Sequence, residues 1–98
     1  MSAVLIADSG STKAEWCLID GKKKKTILTQ GLSPYFVTGL QVEQVLKESI
    51  VPKLKDKWPA QVYFYGTGCS NPGNVKIIRN AVKAVFKKAD VFVDHDLM

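Results

Sequence analysis

Cysteine is scarce in this 98-residue chain, and its two copies, Cys17 and Cys69, lie far apart. With no C-x-x-C pair and no metal-ligand spacing, both read as reduced thiols of a cytoplasmic protein. The N-terminus lacks a basic leader followed by a long apolar stretch, so no signal peptide is expected. No apolar run approaches membrane-spanning length, so no membrane partner is expected either. Internal repeats, low-complexity tracts and linkers are all missing, which leaves one domain at most. A G-x-x-x-x-G-K-[ST] element is also absent, and this excludes the Walker type of phosphate loop, which needs a helix behind it.

What is present is 46% hydrophobic residues, enough for a small single core, and a formal net charge of +5. Much of the positive excess sits in the Lys22–Lys25 run and in a later helix. An acidic partner or nucleic acid would suit such charge. No aromatic residue interleaves with the lysines to stack on a base, however, and like charges repel into water. The run therefore reads as a solvated surface rather than a nucleic-acid interface.

The stretch from Ala3 to Lys13 is the most informative in the chain. An apolar run, Ala3 to Ala7, reads as a buried strand. It ends on Asp8 and enters a turn of small residues, Ser9-Gly10-Ser11-Thr12. An Asp at a strand end can hold a hydrated divalent cation. Gly10 would let the backbone turn sharply and approach a ligand. The amides and hydroxyls of Ser9, Ser11 and Thr12 could donate to phosphate oxygens. The same four residues, Asp8 to Ser11, are also ordinary turn chemistry. Trp16, Leu18 and Ile19 resume the apolar pattern at once, so the turn joins two strands.

In order, strands are predicted at about Ala3–Asp8, Ala14–Ile19 and Thr26–Gln30, the last two joined by an Asp20-Gly21 hairpin signal. Trp16 and Leu18 should share one face of the second strand, with Cys17 and Ile19 on the other. Ser33-Pro34 then sets a loop in which Tyr35 and Phe36 form a core edge or wall a pocket. A helix should begin near Gln41, with Val42, Val45, Leu46 and Ile50 as its apolar stripe. Pro52 should kink or break it, and Pro59 should close the segment. Gln61–Tyr65 reads as a strand ending on the Gly66–Cys69 loop. Asn71 and Pro72 start a second helix, with Val75, Ile78, Val82, Val85 and Phe86 buried and Lys76, Arg79, Lys83 and Lys87 in water. Val91–Val93 is the last strand, followed by Asp94-His95-Asp96, of which Asp94 and His95 read as surface residues.

The order is β-β-β-α-β-α-β, an α/β chain with a mixed five-stranded sheet. The opening meander should be antiparallel and the two later strands parallel to the first. Right-handed crossovers place both helices on one face. The carboxyl ends of the first and the two later strands then share an edge, where ligands bind in open α/β sheets. Asp8, the Gly66–Cys69 loop and Asp96 would gather there.

The pattern resembles the ribonuclease-H-like core of actin-like ATPases and sugar kinases. Five stretches resemble one branch in particular, the BadF/BadG/BcrA/BcrD-type ATPase family, which includes N-acetylglucosamine kinases. They are Leu5–Lys13, Glu15–Leu18, Gly31–Tyr35, Phe64–Cys69 and Val91–Leu97. The resemblance runs through the whole chain. It implies that the turn Asp8, Ser9, Gly10, Ser11, Thr12 and Lys13 holds the phosphates of ATP, with Asp8 on Mg²⁺. It implies that Asp96 is the general base for a sugar hydroxyl attacking the γ-phosphate. It further implies that Ser33, Gly66, Thr67 and Gly68 line the sugar site, although relatives commonly carry Asn at the position of Ser33.

Members of that family are two-lobed and considerably longer. Residues 1–98 therefore read as an N-terminal lobe whose second phosphate motif, adenosine site and C-terminal lobe lie beyond Met98. Alone it is expected to be catalytically silent, with apolar sheet surface uncovered and a tendency to form a homodimer or aggregate. Three other readings stand beside the sugar kinase. One is the ATPase activator of a 2-hydroxyacyl-CoA dehydratase or benzoyl-CoA reductase, which carries an iron–sulfur cluster for which the lone cysteines show no spacing. A ribonuclease-H-like nuclease would need further carboxylates, and Tyr65–Gly68 supplies none. An isolated non-catalytic module is the remaining reading.

Overall fold

The computed structural model describes residues 3–35, 37–55, 57–69 and 71–95. Five strands form one sheet: β1 (Ala3–Ser9), β2 (Lys13–Asp20), β3 (Lys23–Gln30), β4 (Pro59–Gly66) and β5 (Asp90–His95). Their spatial order is β3-β2-β1-β4-β5. The pairs β1–β2 and β2–β3 are antiparallel, whereas β1–β4 and β4–β5 are parallel. The apolar strand at the start of the chain is thus the central one, as its unbroken apolar composition predicts.

Alternation along the strands divides the sheet into two unlike faces. Leu5 and Ala7 of β1, Trp16 and Leu18 of β2, Ile27 of β3 and Val62 and Phe64 of β4 are buried on one face. Register confirms the grouping, with Leu5 opposite Leu18 and Val62, and Ala7 opposite Trp16 and Phe64. The Trp16 and Phe64 rings meet edge to face at 5.8 Å. The Trp16 indole N–H donates to the Thr29 hydroxyl at 3.0 Å, so burying the ring strands no polar group.

Two helical segments pack together on this face and share its core. The first runs from Gly39 to Leu54 in three parts: α1 (Gly39–Val45), a π-helical turn (Leu46–Ile50) and α2 (Val51–Leu54). It starts before Gln41 because Thr38 and Gln41 form a capping box, each side chain accepting the other's backbone N–H. Pro52 does not end the helix. The turn before it widens, and the Val51 N–H donates to the Leu46 carbonyl five residues back. A π-turn accommodates the missing proline donor while Leu46, Ile50 and Leu54 stay buried. The second helix, α3 (Pro72–Val85), begins as its sequence predicts, with Asn71 accepting from the N–H groups of Gly73 and Asn74. Ala81 joins Ile78, Val82 and Phe86 as fully buried residues, while Val75 and Val85 are only partly covered.

Three boundaries differ from the expectation. Pro59 opens β4 instead of closing a helical segment, a position where a strand tolerates the loss of an N–H. Cross-strand pairing draws Lys23–Lys25 into β3, opposite Asp20, Ile19 and Leu18. Pairing with β4 likewise extends β5 through His95. The other sheet face carries Ile6, Cys17, Tyr63 and Phe92 in one row, the last two stacked at 5.0 Å. The described residues place no helix on that face.

Phe64 has no exposed surface and anchors the covered face. Phe64→Ala should destabilise the fold by about 3–5 kcal/mol. Chemical denaturation followed by circular dichroism checks this, and a loss below about 1 kcal/mol would contradict the packing described.

Candidate functional site

The carboxyl ends of β1 and β4 lie side by side, and the turn leaving β1 is braced there from two directions. Ser9 is the brace. It is 1% exposed, its hydroxyl accepts the Leu32 N–H at 2.9 Å and donates to the Gly10 carbonyl at 3.2 Å. Its carbonyl accepts the Thr67 N–H at 2.9 Å. One buried residue thereby ties the turn after β1 to the Gly31–Ser33 loop and to the loop after β4. The Ser9 hydroxyl is thus engaged inside the fold.

Gly10 closes the hairpin by donating its N–H to the Lys13 carbonyl at 2.8 Å, leaving Ser11 and Thr12 at the tip. Its φ is not positive, and a Cβ there would meet only the Lys13 carbonyl at an ordinary 3.6 Å. The turn itself therefore does not demand glycine at position 10. The demand falls on Gly31, where a Cβ would lie 2.5 Å from the Ser11 backbone and closer still to the Gly10 carbonyl. It also falls on Gly68, whose φ of 85° is left-handed and whose missing Cβ leaves room for the Tyr35 ring. No local pattern singles out Gly31, because its reason is a tertiary approach.

Asp8 lies on the opposite sheet face from Ser9 and is exposed. It pairs across β2 with Glu15 and across β4 with Tyr65. Among the described residues no hydrogen bond or ion pair engages its carboxylate. A cavity of about 470 Å³ opens beside it, lined by Asp8, the turn through Lys13, Glu15, Leu28 and Thr67. The expected phosphate-holding residues and Thr67 are thus brought together.

The other expected sugar-site residues are placed differently. Gly66 is buried, and a Cβ there would strike the Phe64 ring. Ser33 is 1% exposed, and its hydroxyl accepts the Tyr35 N–H at 3.4 Å within its own loop. The Gly68 carbonyl accepts from the Asn74 side chain of α3 at 2.9 Å, fixing the loop to that helix. Tyr35 is largely exposed over Gly68, while Phe36 lies outside the described residues. Asp96, the expected base, also lies outside the described residues; Asp94 and His95 just before it are exposed.

The donor set suits Mg²⁺ held jointly with a phosphate ligand. That ion takes one or two carboxylates and leaves its other positions to water and phosphate oxygens. The uncommitted Asp8 carboxylate meets this need. Among the described residues no group of three or more His, Cys, Asp or Glu side chains forms a self-sufficient metal cage.

No family model matches the chain, and no curated protein matches it either. Among solved structures that match is one from Porphyromonas gingivalis, provisionally named an N-acetylglucosamine kinase, at 29% identity and a TM-score of 0.85. The likeness covers 97% of this chain but only 35% of that protein. The mixed five-stranded α/β sheet is the fold of this kinase-like neighbour, and the chain spans about a third of its length.

Ser9→Ala would leave the buried Leu32 N–H unpaired and should cost about 1–3 kcal/mol. Amide exchange at Leu32 and Thr67 should accelerate in the same variant. An unchanged denaturation midpoint would contradict the bracing role.

Gly31→Ala should destabilise by about 1–3 kcal/mol, since backbone rather than flexible side chain must yield. Gly10→Ala should leave stability unchanged or improve it by up to about 1 kcal/mol. Equal losses at the two positions, measured by thermal unfolding, would show that the turn is not shaped by the Gly31 approach.

Proposed function

We propose that this chain is the N-terminal, phosphate-holding part of an ATP-dependent sugar kinase of the N-acetylglucosamine kinase type. One observation carries the reading. The free Asp8 carboxylate, the Gly10–Lys13 backbone turn and Thr67 face one cavity at the carboxyl edge of parallel strands, where open α/β sheets take ligands. The fold likeness to the provisionally named kinase supports it, and 29% identity spreads that support over nearly the whole chain.

In this reading Asp8 holds Mg²⁺, and Gly10, Ser11, Thr12 and Lys13 receive the ATP phosphates. Bound Mg²⁺ would neutralise charge on the β- and γ-phosphate oxygens. The missing Cβ at Gly10 then serves the ligand rather than the turn, letting phosphate approach the backbone. Ser9 holds the loop in place from behind. Thr67 and Gly68 border the acceptor sugar, and Ser33 shapes that border from inside its loop. Asp96 would accept the proton of the attacking sugar hydroxyl. The setting is cytoplasmic, in keeping with two cysteines, Cys17 and Cys69, that are not joined in a disulfide. No helix among the described residues is long and apolar enough to cross a membrane.

Phosphoryl transfer needs nucleotide and acceptor aligned from both sides of a cleft. Residues 1–98 alone should therefore bind Mg²⁺-ATP weakly and transfer no phosphate. In the two-lobed enzyme, Asp8→Asn should lower transfer to N-acetylglucosamine by about a hundredfold or more while leaving the fold intact, because Asp8 is exposed and its carboxylate has no hydrogen bond or ion pair among the described residues. Asp96→Asn should lower kcat by about a hundredfold with little change in nucleotide affinity. Steady-state kinetics with paired nucleotide titrations separate the two roles. Near-normal turnover of the Asp8 variant would overturn the proposal.

A further inference from the structure

The edge of the sheet away from the candidate phosphate turn gathers a cluster of positive charge. Between the β2–β3 hairpin and the end of α2 lies a cavity of about 640 Å³. Seven lysines line it, four from the hairpin (Lys22–Lys25) and three, Lys53, Lys55 and Lys57, from the end of α2 and the segment after it. Asp20 is its sole acidic lining residue among the described residues, and it is paired with Lys57 at 3.5 Å. Leu18 and the buried Leu54 supply an apolar floor.

Edge-strand lysines often serve only to discourage strand addition. That explanation covers the lysines of β3, Lys23 to Lys25. It does not cover Lys53, Lys55 and Lys57, which come from a different part of the chain and converge on the same space. Pairing sets Lys23 opposite Asp20 and Lys25 opposite Leu18, on the helix-bearing face. The Lys25 ammonium reaches across to the Lys53 carbonyl at 3.0 Å, bridging the two walls. Lys55 holds φ 57° and ψ −112°, a conformation that favours glycine. A lysine kept there places its charge beside the cavity at a backbone cost. Exposed lysines from two separate segments around one cavity present a positive field that draws an anion.

We propose that this cavity binds a compact polyanion of the polyphosphate class. Its volume falls in the range of small-molecule sites. Lysines meet phosphate as mobile point charges, whereas among the described residues the lining has no arginine fork for planar bidentate recognition. Among the described residues it also has no aromatic side chain on which a base could stack, which disfavours a nucleic acid. The site is separate from the Asp8 turn. Val4 pairs with Ile19 near the hairpin, whereas Ser9 pairs with Ala14 at the other end of the same two strands.

Titration of the ¹⁵N-labelled chain with inorganic tripolyphosphate at low ionic strength tests this. Saturable amide shifts should appear at Leu18, Gly21, Lys23, Leu54 and Lys55 and leave Gly10–Lys13 unmoved. By calorimetry, Lys23→Gln/Lys53→Gln should weaken binding about tenfold or more. Lys87→Gln/Lys88→Gln removes the same charge elsewhere and should change affinity by less than about twofold. Absence of saturable shifts in the unmodified chain would overturn the proposal. Shifts confined to the Asp8–Lys13 turn, or equal losses in both double variants, would do the same. So would a response to duplex DNA or a glutamate-rich peptide with none to tripolyphosphate.

Discussion

The candidate site depends on one buried serine. Ser9 joins three chain segments through its hydroxyl and its carbonyl, and it does so at 1% exposure. A hydroxyl at that depth would be costly if unpaired. Here it both accepts and donates, so burial and hydrogen bonding support each other. The consequence is a turn of small residues that is held from behind. Ser11 and Thr12 stay exposed at the tip while their support is internal. A phosphate-holding loop needs this combination, because stabilising charge with backbone amides works only when the amides need not reorganise.

The two faces of β1 then divide the work. Alternation puts Ser9 on the helix-covered side and Asp8 on the other. The residue that fixes the loop and the residue that would meet a metal are adjacent in sequence yet on opposite sides of the sheet. Asp8 sits in a row with Glu15 and Tyr65, on the face to which the described residues bring no helix. Its carboxylate is therefore available, while the packing around Ser9 stays intact if Asp8 is changed. This separation makes the chemistry of the site testable without disturbing the fold.

Most of the architecture was legible in the residues. Strand alternation at Trp16 and Leu18, the Asp20-Gly21 turn and the Asn71-Pro72 cap each carry a local physical signal, and each appears as read. What escaped was decided by tertiary partners. Pro52 read as a kink or a break, and which of the two it gives is decided by three buried residues, Leu46, Ile50 and Leu54, which hold the helix together around a π-turn. Pairing with Asp20, Ile19 and Leu18 drew three lysines into β3. At the site, Asp8 and the turn were readable because a carboxylate after an apolar strand is a local pattern. The inward commitment of Ser9 was not, because its partners Leu32 and Thr67 are distant in sequence. Gly10 and Gly31 illustrate the same limit. The glycine in the motif is sterically optional for the bare turn, and the one outside it is required.

The lysines show how a run of one sign can change meaning with topology. Read along the chain, Lys22–Lys25 is a solvated stretch. Read in space, it is one wall of a cavity whose other wall is Lys53, Lys55 and Lys57. No sequence window contains both walls, so no periodicity could have joined them. The meander places the hairpin at the amino-terminal end of β1, and the helix on its face must return its own end to that edge before β4 can begin. A central strand with parallel neighbours on one side and antiparallel neighbours on the other therefore produces two unlike rims. The carboxyl rim gathers turns and a free carboxylate, and the amino rim gathers the hairpin and the helix end. The charge at the second rim follows from residues chosen along separate segments, and it is the connectivity of the sheet that turns them into a single site.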